Sequence, residues 1–122
     1  IRQHNRDYVN YIGYCDARPY NQKRALEYFG RQDLGQYSKD DITNLKKYDT
    51  IKAVLDDPEV EMVVIALPLW LHAPVAIDAL KAGKHVFCEK LMAHDISECK
   101  AMIKAARENN RLLAVGHQRH YS

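Results

Sequence analysis

The sequence predicts an α/β domain, a doubly wound parallel sheet with its N-terminal part truncated, and three observations carry that prediction. Met62–Ala66 is an unbroken apolar, largely β-branched run, as expected of a strand covered on both faces. Between it and the next strand-like segment, His85–Cys88, apolar residues fall at Ala73, Ala76, Ile77 and Leu80, the i, i+3, i+4, i+7 stripe of a helix over His72–Ala82. The alternation then repeats, with a helix from Asp95 and a strand at Leu112–Val115. Strands that alternate with helices through short turns need crossover connections, hence a parallel sheet.

Each element has its own signals. Tyr8–Cys15, with Val9, Tyr11, Ile12 and Tyr14, has strand composition and runs into Asp16 and the breaker Pro19. Asn21–Phe29 reads as a short amphipathic helix with Ala25, Leu26 and Phe29 inward and Gly30 just past its end. Arg31–Asn44 is polar and aperiodic, a surface loop. Thr50 caps a short helix to Leu55, which Asp57-Pro58 stops. Pro68 ends the Met62–Ala66 strand; Pro74 and Gly83 bracket the helix that follows. Asp95 and Glu98 form a D-x-x-E capping box before a helix whose inner face is expected at Ile96, Cys99, Ile103 and Ala106. No repeat, low-complexity tract or linker divides the 122 residues.

Composition narrows the partners. Eighteen basic and 16 acidic side chains leave a net charge of +2, with no basic stripe, so neither nucleic acid nor an anionic membrane surface is expected as a partner. The longest apolar run, Met62–Leu71, is too short for a bilayer. Three cysteines, Cys15, Cys88 and Cys99, make an odd set, and reduced, buried thiols are expected. The chain opens on Ile1 rather than Met and reads as a piece of something longer, whose targeting signals lie outside it.

Open parallel sheets bind ligands beyond the carboxyl ends of their strands, where helix N-termini present free N–H groups to a shared crevice. The residues there are Asp16, Leu67-Pro68, Glu89-Lys90 and His117-Gln118-Arg119. Asp16 stands where dinucleotide-binding domains place the acidic residue that bonds the adenosine ribose; it equally suits a turn before Pro19. That acidic residue follows a Gly-rich turn by about 20 residues, which would put the turn upstream of Ile1. No G-x-G-x-x-G occurs in the chain. Arg18 could meet a 2′-phosphate, whereas the Asp16 carboxylate favours the free 2′-hydroxyl, so the cofactor expected is NAD or NADP, with NAD favoured. Lys90 is the catalytic candidate, because an ammonium in a partly desolvated crevice stabilises negative charge developing on a carbonyl oxygen; as a surface lysine it would simply be solvated. The pairs His85/Cys88 and His117/His120 have metal-like spacings, but residues three apart on a strand point to opposite faces, and no metal is expected. His72 also fits a helix-start residue bonded to backbone, and Trp70 fits either a pocket wall or a core lid.

Asp57–Leu71 (DPEVEMVVIALPLWL), then His72, then Gly83–Lys90 (GKHVFCEK), closely resemble the N-terminal domain of the Gfo/Idh/MocA oxidoreductases, which include glucose–fructose oxidoreductase and inositol 2-dehydrogenase. The similarity runs from about Tyr11 to Tyr121. It implies a Rossmann-like fold and, in the longer protein, hydride transfer between a nicotinamide cofactor and a sugar, cyclitol or related polyol. By the resemblance, Asp16 takes the adenosine ribose. Pro68 and His72 match the family's T-P-x-x-x-H segment on the nicotinamide side, with Leu67 in place of the threonine. Glu89 and Lys90 match its E-K-P, and Gln118 matches a polar residue that approaches the cofactor. Leu91 replaces the motif proline and bears on how Lys90 is carried. The resemblance further implies a C-terminal substrate domain supplying a second acid/base group, a homo-oligomer when full length and a cytoplasmic location, with export of the longer parent left open. Two other activities stay open: an NAD-using glycoside hydrolase of the same family, and a non-catalytic nucleotide-binding or regulatory member.

Overall fold

The structure, a computed structural model, describes residues 9–29 and 44–120. The chain divides into two units, Ile1–Val54 and Leu55–Ser122.

In the first unit, strand β1 (Gly13–Tyr14) pairs in parallel with β2 (Lys46–Lys47). The strand expected over Tyr8–Cys15 is thus two residues long, since the ladder ends with the bonds from Lys46 N–H to Ile12 O and Tyr48 N–H to Tyr14 O, both 2.9 Å. Tyr8 lies outside the described residues. Helix α1 (Pro19–Phe29) begins two residues earlier than expected, with Pro19 at its first position, where a missing N–H costs nothing. Its inner face differs too. Leu26 is exposed, and Asn21, Gln22 and Ala25 are half-buried, because Asn21 and Gln22 reach back to bond Asp16. The Phe29 side chain, Gly30 and nearly all of the expected loop at Arg31–Asn44 fall outside the described residues.

Helix α2 (Ile51–Asp56) follows, and Thr50 Oγ1 caps it by accepting from Ala53 N–H at 3.1 Å. In the second unit β3 (Met62–Ile65), β4 (His85–Glu89) and β5 (Leu113–Gly116) form a parallel sheet in that order. Val63, Val86 and Leu113 lie in register, as do Ile65, Cys88 and Val115. Helices α3 (Leu69–Lys81) and α4 (Ile96–Glu108) are the two crossovers; they pack on each other and on the sheet. The core is Ile65, Val86 and Cys88 against Ala73, Ala76, Ala79, Leu80, Met102 and Ala105, with Val63 and Leu113 packed beside it. The expectation that Met62–Ala66 is covered on both faces is corrected: Met62 and Val64 are 42% and 44% exposed, because both crossover helices of this unit cover the face that carries Val63 and Ile65.

Helix α3 starts at Leu69, three residues ahead of the expected His72, directly after Pro68. Gly83 closes it at φ 78°, its N–H bonded to Leu80 O at 3.0 Å and that of Lys84 to Ala79 O at 2.9 Å. The expected capping box of α4 is present in part, its return bond going to the N–H of His94 instead of to that of the cap residue. Asp95 Oδ1 accepts from Glu98 N–H at 2.9 Å, while the Glu98 carboxylate reaches His94 N–H at 2.9 Å. The inner face of α4 is Cys99, Met102, Ala105 and Ala106; Ile96 and Ile103, expected inside, are 74% and 40% exposed. Packing against α3 selects the small side chains at 105 and 106, and Met102 with them. Among the described residues no helix is long and apolar enough to cross a membrane.

Candidate functional site

In the first unit, Asp16 follows β1 and anchors the start of α1. Its Oδ1 accepts from Arg18 N–H at 2.8 Å, its Oδ2 from Asn21 Nδ2 at 3.0 Å, and its main-chain oxygen from Gln22 Nε2 at 2.6 Å. The turn reading of Asp16 is therefore realised. A carboxylate has about four lone-pair sites, so two oxygens that hold one bond each keep capacity for a ligand hydroxyl. Arg18 is exposed. Burial, then the charges of Asp16 and Asp49, push the Cys15 thiol above its ordinary range. Asp49 lies just beyond β2, a strand the sequence did not announce, since two exposed lysines carry no strand signal.

In the second unit three parallel strands end at one edge. Beyond β3 come Leu67, half-buried against the core, and Pro68, which precedes α3 with φ −55° and ψ 143° and no side-chain cap. Beyond β4 stand Glu89, its last residue, and Lys90. Glu89 is half-buried and its carboxylate lies over Gly116, the last residue of β5. Lys90 is exposed, and its ammonium makes no ion pair among the described residues; its N–H reaches Glu89 Oε2 at 3.3 Å. The Lys90–Leu91 peptide is cis. Beyond β5, Gln118 is exposed and opens a 3₁₀ turn, Gln118–His120.

His72 is the exception to this exposure. Only 2% exposed, its ring bridges two main-chain oxygens, with Nδ1 2.7 Å from Leu91 O and Nε2 2.8 Å from Leu67 O. Trp70, 69% exposed in the first turn of α3, is no core lid. His85 and Cys88 do not converge: Cys88 is buried against the helices, while His85 Nδ1 accepts from Leu112 N–H at 2.9 Å. All three cysteines are free; Cys88 is buried, and Cys15 and Cys99, expected buried too, are half-buried.

The second unit thus gathers Leu67, Pro68, His72, Glu89, Lys90 and Gln118 at one edge of a parallel sheet, and Asp16 and Arg18 close β1 in the first. A family model for an oxidoreductase family with an NAD-binding Rossmann fold matches residues 3–117. The chain belongs to the Gfo/Idh/MocA oxidoreductases. Within that family, the inositol 2-dehydrogenase/D-chiro-inositol 3-dehydrogenase of Lactiplantibacillus plantarum is 33% identical over 115 residues, which are 93% of this chain and 29% of that protein. The levoglucosan dehydrogenase of Pseudarthrobacter phenanthrenivorans is 46% identical over 59 residues, 48% of this chain and 15% of that one. Among solved structures, the WlbA dehydrogenase of Bordetella pertussis in complex with NADH and UDP-GlcNAcA matches 99% of this chain and 31% of its own at a TM-score of 0.79 and 27% identity. The chain spans 15% to 29% of the curated relatives it matches. Parallel strands joined by helical crossovers make it the NAD-binding Rossmann domain of a Gfo/Idh/MocA protein.

Proposed function

We propose that the chain is the cofactor-binding part of an oxidoreductase that moves a hydride between a nicotinamide cofactor and a hydroxyl or ketone of a sugar, cyclitol or related polyol. The names of its relatives, inositol and levoglucosan dehydrogenases, support that substrate class. The cofactor, when bound, supplies or takes the hydride. Asp16 holds the adenosine ribose through its remaining lone pairs, and its negative charge favours NAD over NADP, with Arg18 beside it on the surface. Leu67 and Pro68 shape the wall on the nicotinamide side, His72 supports it from behind through the main chain of Leu67, and Gln118 offers its carboxamide from the next strand end. Lys90 stabilises the substrate oxygen as charge builds there, and Glu89 sits beside it in sequence to steady its turn.

The observation that carries this reading is Lys90: an exposed ammonium with no ion pair among the described residues, at the carboxyl end of β4, in a domain of NAD-binding type. In the same reading the Gly-rich turn and first strand precede these residues, a substrate domain follows them, and the full-length protein is a cytoplasmic homo-oligomer. The test is Lys90→Met in the full-length protein with NAD and a panel of polyols. NADH binding is expected to persist while turnover falls at least roughly 100-fold; undiminished turnover overturns the role.

A further inference from the structure

Among the described residues, the turn that carries Lys90 is held by few bonds. Its N–H makes the long contact to Glu89, and the Cys88 thiol lies 4.0 Å from Met92 O. Against these stands the 2.7 Å contact from His72 Nδ1 to Leu91 O, made by a ring that is 2% exposed. The opposite nitrogen of the same ring is 2.8 Å from Leu67 O, at the exit of β3. A carbonyl oxygen only accepts, so each contact calls for an N–H from the ring; the neutral imidazole carries one and the imidazolium two. With two N–H groups the ring donates to both oxygens, and with one it donates to either Leu91 O or Leu67 O; in each case both nitrogens face main chain rather than a ligand.

We propose that His72 is a positioning residue for Lys90: its buried ring ties the turn after β3 to the turn after β4 and so fixes where the ammonium stands. The proposal rests on the role given to Lys90 above. It also accounts for the departure at position 91. The acceptor is the main-chain oxygen of Leu91, which proline would present equally, so the tether does not depend on the side chain there. The 19-residue separation between ring and acceptor joins one crossover helix to the far end of the next strand. Rigid placement matters for a group acting on a developing charge, because a displacement of about 1 Å can cost on the order of 100-fold in rate.

Two variants of the full-length protein test this. His72→Phe keeps a buried ring and removes both nitrogens, and His72→Gln keeps an amide donor. Amide hydrogen exchange in peptides spanning residues 90–94 is expected to quicken about tenfold in His72→Phe, with α4 unchanged, and to recover in part in His72→Gln. NADH affinity, measured by fluorescence with NADH alone, is expected to stay within about twofold, whereas kcat with NAD and myo-inositol or levoglucosan falls about 100-fold with KM less affected. Unchanged exchange at 90–94 overturns the tether, and a loss of NADH affinity at unchanged kcat assigns the ring to the cofactor instead. If the unaltered protein turns over neither polyol, the oxidoreductase reading loses its support there, while the exchange measurement still decides whether His72 holds the turn.

Discussion

Glu89 lies across Gly116: a Cβ built on the glycine would sit 3.2 Å from both carboxylate oxygens and 3.2 Å from Cε1 of Phe87. The end of β5 is therefore shaped to let the side chain that precedes Lys90 fold over the sheet edge. Gly116→Ala is expected to cost about 1 kcal/mol, because the crowded neighbours must give way by a few tenths of an ångström. Glu89→Ala removes most of that crowding, so the double variant should be less destabilised than the sum of the two single ones. Urea denaturation of the four proteins measures this, and strict additivity would contradict the contact.

Gly83 closes α3 in the left-handed region at φ 78°, with its carbonyl bonded by Arg111 Nε at 2.6 Å. A Cβ there meets only Arg111 atoms at 3.7 and 3.8 Å, so space is not the obstacle. The backbone is. Gly83→Ala is expected to cost about 1–2 kcal/mol and Gly83→Asn clearly less, since asparagine tolerates this conformation, as Asn110 does at φ 50° after α4. Equal losses for the two in thermal denaturation would point to packing rather than backbone.

The elements most legible in the sequence were those whose signals are local. Asp95 and Glu98 lie three apart and announce α4 because an N-cap bonds its own first turn. The stripe at Ala73, Ala76 and Leu80 announces α3 because one helix face must be apolar. What escaped was set by distant partners. Lys46 and Lys47 form a strand only because β1 lies alongside. Ile103 is turned outward and Met102 inward by the contact of α4 with α3, which periodicity alone does not determine. At the site, chain order put Glu89 and Lys90 at a strand end, and His72 as a helix-start residue bonded to backbone is realised in its contact to Leu67 O; its second main-chain oxygen, that of Leu91, lies 19 residues away, and no side-chain identity encodes it.

Asp95 gives the clearest acid dependence. The hydroxyl of Ser97, at 2.6 Å, and the N–H of Glu98 hold its carboxyl below the usual carboxylate range. A carboxylate whose folded value is depressed stabilises the fold above its unfolded value and loses that contribution as pH falls through the folded one. Asp95→Ala should therefore lower the melting temperature at pH 7, and the gap to the unaltered protein should close as pH drops below about 4. A gap that stays constant down to pH 2 would mean that the carboxylate charge plays no part in the cap.

Cys88 gives the opposite dependence, at alkaline pH. It is fully buried between sheet and helices, and burial, then the charge of Glu89, push its thiol from the ordinary 9.0 up to about 11. Thiolate is the reactive form, so a disulfide reagent at pH 8 is expected to reach Cys88 only after unfolding, whereas half-buried Cys99 reacts in the folded chain and half-buried Cys15 does so slowly, its thiol also being pushed up. The same shift makes stability depend on pH. The unfolded thiol releases its proton near 9 and the folded one near 11, so the contribution is complete below 9 and drains away as pH rises between those values. Urea midpoints of the unaltered protein and of Cys88→Ala should consequently draw together across that interval, since alanine has no proton to lose. The comparison cancels the titration of every lysine common to both, which isolates the thiol. Midpoints that run parallel from pH 8 to pH 11, or rapid labelling of Cys88 in the folded chain, would place this sulfur in water instead of in the core.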